Sequence, residues 1–149
     1  MSTDLQLELQ SDGQTYDLVI GDNGDFVGDT GLSTTILTSI LSDARASASE
    51  VADPIQRGGW FGNLVFPRED SELGSLLWII RQRRRTTASL NVAVDRVQKG
   101  LAWFLEDGIA KNIDVTGSLD PTGATINIEV TPFSGETSNL YVPLWKETP

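Results

Sequence analysis

The sequence predicts an α+β fold, in which an N-terminal β-hairpin leads into three helices and then into C-terminal antiparallel strands. Apolar residues alternate at both ends of the chain, whereas in the middle they recur every three or four positions. Strands kept apart from a run of helices indicate α+β packing and not the alternation of a doubly wound sheet. A length of 149 residues suits one domain spanning 1–149, and a hydrophobic content of 39% is enough for one core.

Leu5, Leu7 and Leu9 alternate with Gln6, Glu8 and Gln10, and Tyr16 to Ile20 supplies a second strand. Asp12-Gly13 between them suits a tight hairpin turn. The resulting register pairs Leu9 with Tyr16, Leu7 with Leu18 and Leu5 with Ile20, which puts the large apolar residues on one face. It also sets Glu8 opposite Asp17, tolerable where that face is wet. Asn23-Gly24 signals another turn, with a short strand over Asp25 to Val27.

Thr30 or Ser33 caps a first helix carrying Ile36, Leu37, Ile40, Leu41 and Ala44, which is expected to end near Ser47. From Ser49 to Asp70 the chain mixes Pro54, Gly58, Gly59, Gly62 and Pro67 with Trp60, Phe61, Leu64 and Phe66 and shows no period. This pattern predicts a loop pinned to the core or to a partner. Asp70 or Ser71 caps a second helix with Leu73, Leu76, Leu77 and Ile80 on one face, and the cations from Arg81 onward suit its C-terminal dipole.

Thr86 starts a third helix through Leu90, Val94, Val97, Leu101, Phe104 and Leu105, and Asp107-Gly108 stops it. Ile113, Val115 and Gly117 then face Val130, Ile128 and Ile126 across Asp120-Pro121-Thr122-Gly123. Leu140 to Trp145 reads as a last strand, confined to an edge by Pro143.

With 21 acidic and 11 basic side chains the net charge is −10, the wrong sign for long-range attraction to nucleic acid. The absence of Cys and His removes disulfides, thiolate nucleophiles, sulfur and imidazole ligands and the commonest general base. No apolar run has the length of a membrane helix, and Met1 to Gln10 lacks the pattern of a signal peptide, so a cytosolic product is expected.

Four constellations invite chemistry. Asp22, Asn23, Asp25 and Asp29 contain hard oxygen ligands but lack the spacing of a calcium loop, and a solvated turn is the favoured reading. Arg81, Arg83, Arg84 and Arg85 form the basic cluster, which Arg57 and Arg68 could join in space; it fits a solvated helix end or an acidic patch on a partner protein better than nucleic acid. Glu69, Asp70 and Glu72, with Glu106 and Asp107, are carboxylate groups of the kind that hydrolyses glycosides when suitably spaced, although Asp70 and Glu72 already fit a helix start. Trp60, in its Gly-rich loop, is equally suited to plugging the core and to anchoring an interface.

Three stretches also carry a family likeness: Arg57-Gly58-Gly59-Trp60-Phe61-Gly62, Gly74-Ser75-Leu76-Leu77-Trp78-Ile79-Ile80 followed by Arg81, and Gly100-Leu101-Ala102-Trp103-Phe104-Leu105-Glu106-Asp107-Gly108. In this order and spacing, from about Tyr16 to about Phe133, the chain resembles a small tail protein of Mu-like contractile phages. That family is in turn similar to the baseplate wedge proteins, or sheath initiators, of contractile phages and phage-derived injection machines. Glu106 matches the first position of the sheath initiators' Glu-Pro-Arg motif, while Asp107 and Gly108 depart from it.

The resemblance implies a lysozyme-like baseplate wedge fold with a structural and non-catalytic role in the virion tail, after assembly in the host cytoplasm. It implies six copies around the tube, contacting other wedge proteins, the tail sheath protein and tail tube or hub proteins, with no nucleic acid, membrane or cofactor. Trp60, Arg81, Arg83, Arg84, Arg85 and Glu106 are the residues expected to meet wedge neighbours. Ile128, Val130, Tyr141 and Trp145 mark the strands expected to template the first sheath ring by strand addition. A tail-associated peptidoglycan hydrolase acting through Glu72 and Glu106 is the alternative from a different class.

Overall fold

The computed structural model describes residues 4–29, 31–65 and 72–146. Strands β1 (Leu7–Leu9) and β2 (Tyr16–Leu18) form the N-terminal hairpin, with Leu7 opposite Leu18, Glu8 opposite Asp17 and Leu9 opposite Tyr16, as the sequence predicts. The Asp12 carboxylate fixes the turn by accepting from the Gln14 and Thr15 amides, at 2.8 and 2.9 Å, and from the Thr15 hydroxyl at 2.6 Å. Glu8 and Asp17 both face solvent, where their like charges are screened.

The expected pairing of Leu5 with Ile20 does not form. Leu5 bridges Gly28 and Ile20 bridges Phe26, because the turn around Gly24 (φ 83°) returns the chain alongside the hairpin's open end. Asp25 to Val27 therefore contributes one isolated bridge, at Phe26, and no strand of its own.

Helix α1 (Ser33–Leu41) buries Ile36, Leu37, Ser39 and Ile40. Of the two expected caps, Thr30 lies outside the described residues and Ser33 is the first helical residue rather than the cap. Instead the buried Asp29 carboxylate accepts from the Gly31 amide at 3.0 Å and the Thr34 amide at 2.8 Å, satisfying donors that a helix start leaves free. The helix ends at Leu41, short of Ser47, because Ser42 turns extended and its carbonyl accepts from Ser75 while Ala44 donates to the Ser75 carbonyl.

The following segment is irregular and tied down, as expected. Arg45 donates to the carbonyls of Gly58 and Pro54, Arg57 to those of Val51 and Ala52, and the Trp78 indole to that of Ala44. Within it sit a 3-10 turn at Pro54–Gln56 and the short helix α2 (Gly62–Val65).

Helix α3 (Leu77–Arg81) is shorter than the period of Leu73, Leu76, Leu77 and Ile80 predicts, and its expected caps Asp70 and Ser71 lie outside the described residues. Gly74 holds φ 117°, and a Cβ there would stand 2.7 Å from the Ala44 nitrogen, so the chain before α3 is committed to packing against residues 42–44. The Ser75 hydroxyl completes that junction by donating to the Ile40 carbonyl at 2.6 Å.

Helix α4 (Thr87–Glu106) starts and stops where the sequence predicts. The Thr86 hydroxyl accepts from the Ser89 amide at 3.1 Å, and Gly108 (φ 71°) lets the Ile109 amide reach back to the Phe104 carbonyl. Strands β3 (Ala110–Asp120), β4 (Gly123–Pro132) and β5 (Ser138–Lys146) then form an antiparallel sheet in that spatial order. Ile113 faces Val130, Val115 faces Ile128 and Gly117 faces Ile126, as expected.

One face of this sheet carries the core. Ala124, Ile126, Ile128 and Val130 from β4 and Val142 and Leu144 from β5 pack with Ile36, Leu37 and Ile40 of α1, Leu77 and Ile80 of α3, and Leu90, Val97, Leu101 and Phe104 of α4. A Cβ on Gly117 would come within 2.8 Å of Leu90, so glycine at this position is what lets α4 lie so close to β3. The opposite face, with Asp114, Thr116, Asn139 and Tyr141, is wet, as antiparallel sheets allow. No helix among the described residues is long and apolar enough to cross a membrane.

Candidate functional site

The arginine cluster is divided by the fold. Arg81, at the end of α3, reaches the Pro143 carbonyl on β5 at 3.4 Å, while Arg85 donates to the Asp120 carbonyl at the β3–β4 turn. Both guanidinium groups thus clamp the ends of the C-terminal sheet, and Arg83 and Arg84 face solvent between them. Arg57 spends its donors inside its own loop and does not join the cluster, and Arg68 lies outside the described residues.

Trp60 is 41% exposed and lies against Gly62, with its ring centroid 5.7 Å from that of Phe61. It is no plug of the buried core. Phe61, Leu64 and Val65 extend the same short turn into solvent, and Ile55 stands 92% exposed in the same loop. Of these four, the sequence singled out none as exposed. The signal available was the lack of any period in a glycine-rich run with large apolar residues, which leaves no common face to bury.

In the C-terminal strands the expected contact residues fall into two groups. Ile128 and Val130 are fully buried, and β4 is paired on both edges, so neither their side chains nor their backbone can meet a partner. This corrects the expectation placed on them: a strand can be added only at an outer edge, and among the described residues those edges belong to β3 and β5. Tyr141 sits on the β5 edge strand and is 65% exposed.

Trp145 takes its position from a bulge. The register slips between Ala124 and Thr125, so that Pro143 faces Thr125 and Trp145 faces Ala124, which turns the indole to the core side of the sheet. There it lines a cavity of about 400 Å³ with Arg81, Pro143, Leu144 and the hairpin tip Gly13, Gln14 and Thr15. A larger and shallower hollow of about 1020 Å³ lies between the start of α1 and the β4–β5 connection, with Asp4, Asp29 and Glu136 on its wall.

The electrostatics of the first cavity follow from its crowding. Burial raises the pKa of the Tyr16 phenol above its ordinary value, against the opposing pull of Arg81. Burial likewise lowers that of Arg81, against the support of Tyr16 and Asp43, although an arginine so shifted still carries its charge.

The acidic turn does not assemble a metal site. Asp29 is spent on the start of α1, Asn23 accepts from the Asp25 amide, and no group of three or more ligating side chains suited to a metal occurs among the described residues. Glu72 and Glu106 are exposed, and neither borders the two cavities.

Residues 32–137 match the family model described as Phage protein GP46. Over 114 residues, 76% of each chain, the protein is 25% identical to the Mu-like prophage FluMu protein gp46 of Haemophilus influenzae. It is also 28% identical over 96 residues, 63% of this chain and 64% of the relative, to the baseplate protein gp46 of Escherichia phage Mu.

Proposed function

Because the chain belongs to the Phage protein GP46 family, we propose that it is a structural subunit of a contractile phage tail baseplate. The observation that supports this most is its similarity to the phage Mu protein that is named as a baseplate component. In this reading residues 1–149 act as one wedge domain, six copies surround the tube, and the protein resides in the virion after assembly in the host cytoplasm. It has no catalytic task and no cofactor.

Its neighbours would be other wedge proteins, the tail sheath protein and tail tube or hub proteins. Trp60 and the apolar side chains beside it supply an anchor for one of them, since exposed aromatics at the surface suit interface centres. Arg83, Arg84 and Glu106 lie in solvent, where charges set register and encounter more than affinity.

Strand addition to the first sheath ring would use the outer edge of β5. Residues Ser138 to Val142 offer backbone donors and acceptors there, with Tyr141 beside them, whereas Pro143 lacks an amide and the Arg81 guanidinium already covers its carbonyl.

Cryo-electron microscopy of the assembled tail tests this. The expected map places the chain between the wedge and the first sheath ring, with a sheath strand hydrogen-bonded to residues 138–142. A chain at the distal tip or absent from the particle would overturn the baseplate role. A chain in the baseplate with β5 bare, or with the added strand on β3, would overturn the β5 assignment alone. Cell-wall hydrolysis that is lost in a Glu72→Gln, Glu106→Gln double variant of unchanged fold would point instead to a hydrolase.

A further inference from the structure

The cavity between the hairpin tip, the end of α3 and the bulged end of β5 has Trp145 on its wall, and Tyr16 follows its lining residue Thr15; each carries a polar group that the fold leaves unused. Trp145 Nε1 and the Tyr16 hydroxyl are both shielded from solvent, and neither has a hydrogen-bond partner. Buried polar groups are almost always satisfied, so two orphans in one neighbourhood call for an explanation. An indole N–H is a donor only.

Arg81 stands beside them. Among the described residues its side chain has one hydrogen bond, to the Pro143 carbonyl, long at 3.4 Å, and no ion pair. Asp43 and the neutral Tyr16 phenol lie near enough for their electrostatics to bear on it. In a chain of net charge −10, an arginine that forms no ion pair with any carboxylate among the described residues is conspicuous. The fork of an arginine is built for two parallel bonds to a planar oxyanion.

Arg81 and Trp145 both border the cavity of about 400 Å³, as do Gly13, Gln14 and Thr15, which immediately precede Tyr16. Among the described residues that line it there is no carboxylate. We propose that this cavity is a carboxylate-binding site, in which the exposed Arg81 guanidinium receives an Asp or Glu side chain presented by a neighbouring protein and the Trp145 indole, shielded as the structure stands, turns to donate to it as the cavity fills. A single cation flanked by neutral donors matches one singly charged carboxylate, and the net negative charge of the chain disfavours a doubly charged phosphate.

The site rests on the baseplate reading only for the identity of the protein that offers the side chain. The experiment is therefore done on the isolated full chain with two probes, acetate and the peptide acetyl-Glu-Glu-Glu-amide, at about 0.15 M salt to damp long-range repulsion. Failure of probe binding leaves the baseplate role standing, and absence of the chain from the baseplate leaves probe binding untouched.

In a ¹⁵N-labelled sample the four tryptophans give four indole signals, assigned with a Trp145→Phe variant. The Trp145 signal is expected to move saturably with both probes, while that of Trp78, already bonded to the Ala44 carbonyl, stays in place. Arg81→Gln should weaken the response about tenfold or more, and Arg81→Lys, which keeps the charge but loses the fork, should fall between. The remaining indole signals report whether each variant is still folded. A Trp145 signal that ignores both probes, an undiminished response in folded Arg81→Gln, or a response to inorganic phosphate alone would overturn the site.

Discussion

The C-terminal sheet with α4 and the N-terminal hairpin with the turn that follows it obey opposite rules with similar residues. In the first, Ile126, Ile128, Val130, Val97, Leu101 and Phe104 have no exposed surface at all. In the second, Leu5, Leu18, Ile20 and Phe26 keep between 38% and 63% of theirs, and the connection after α1 leaves Phe61 and Leu64 more exposed still. Apolar alternation alone thus does not make a core. Long strands and a 20-residue helix cover one another, whereas two three-residue strands have nothing large enough laid across them. The exposed apolar surface is where a subunit destined for an assembly would meet its neighbours.

The sharpest way to break this contrast is to remove the largest buried side chain. Phe104→Ala should cost about 3–5 kcal/mol of stability, read from urea unfolding, because the cavity it leaves adds to the lost burial. A cost near zero would mean that the C-terminal core is no better packed than the hairpin.

Asp29→Ala probes one of the ties between the N-terminal region and the core, the buried carboxylate that caps α1. It should cost about 0.5–2 kcal/mol, as lost caps do, with faster amide exchange at Gly31 and Thr34. A loss as large as that of Phe104→Ala would show the two regions to be one cooperative unit of equal strength.

The smallest effect belongs to the exposed turn. Phe61→Ser should change the stability of the isolated chain by no more than about 0.5 kcal/mol, since a surface side chain loses little packing. The same variant should be poorly incorporated into tails, as measured by its amount in purified particles. Normal incorporation would remove this turn from the interface.

Local chemistry was legible where short-range rules suffice. Thr86 and Gly108 bracket α4, Asp12-Gly13 sets the hairpin register, and Asp120 to Gly123 sets that of β3 with β4, because caps and turns are decided within a few residues. The candidate site was legible only in part. Tyr141 is exposed on the edge strand that Pro143 predicts, while Ile128 and Val130 are interior, because which strand lies in the middle depends on where β5 docks. Nothing near Arg81 or Trp145 announces that they share a cavity, 64 positions apart in the chain.

What the sequence determined by itself is therefore the class of the fold, the main helix, both hairpin registers and the acidic, cysteine-free and histidine-free chemistry of the surface. The tertiary structure decided the rest. It ended α1 at Leu41 by pairing Ser42 and Ala44 with Ser75, drew Leu5 and Ile20 to different partners, split the arginine cluster between β5 and the β3–β4 turn, and turned Trp145 inward through a bulge. Each of these is a competition between a local preference of about 1 kcal/mol or less and a contact between distant segments, and in a packed interior the distant contact prevails.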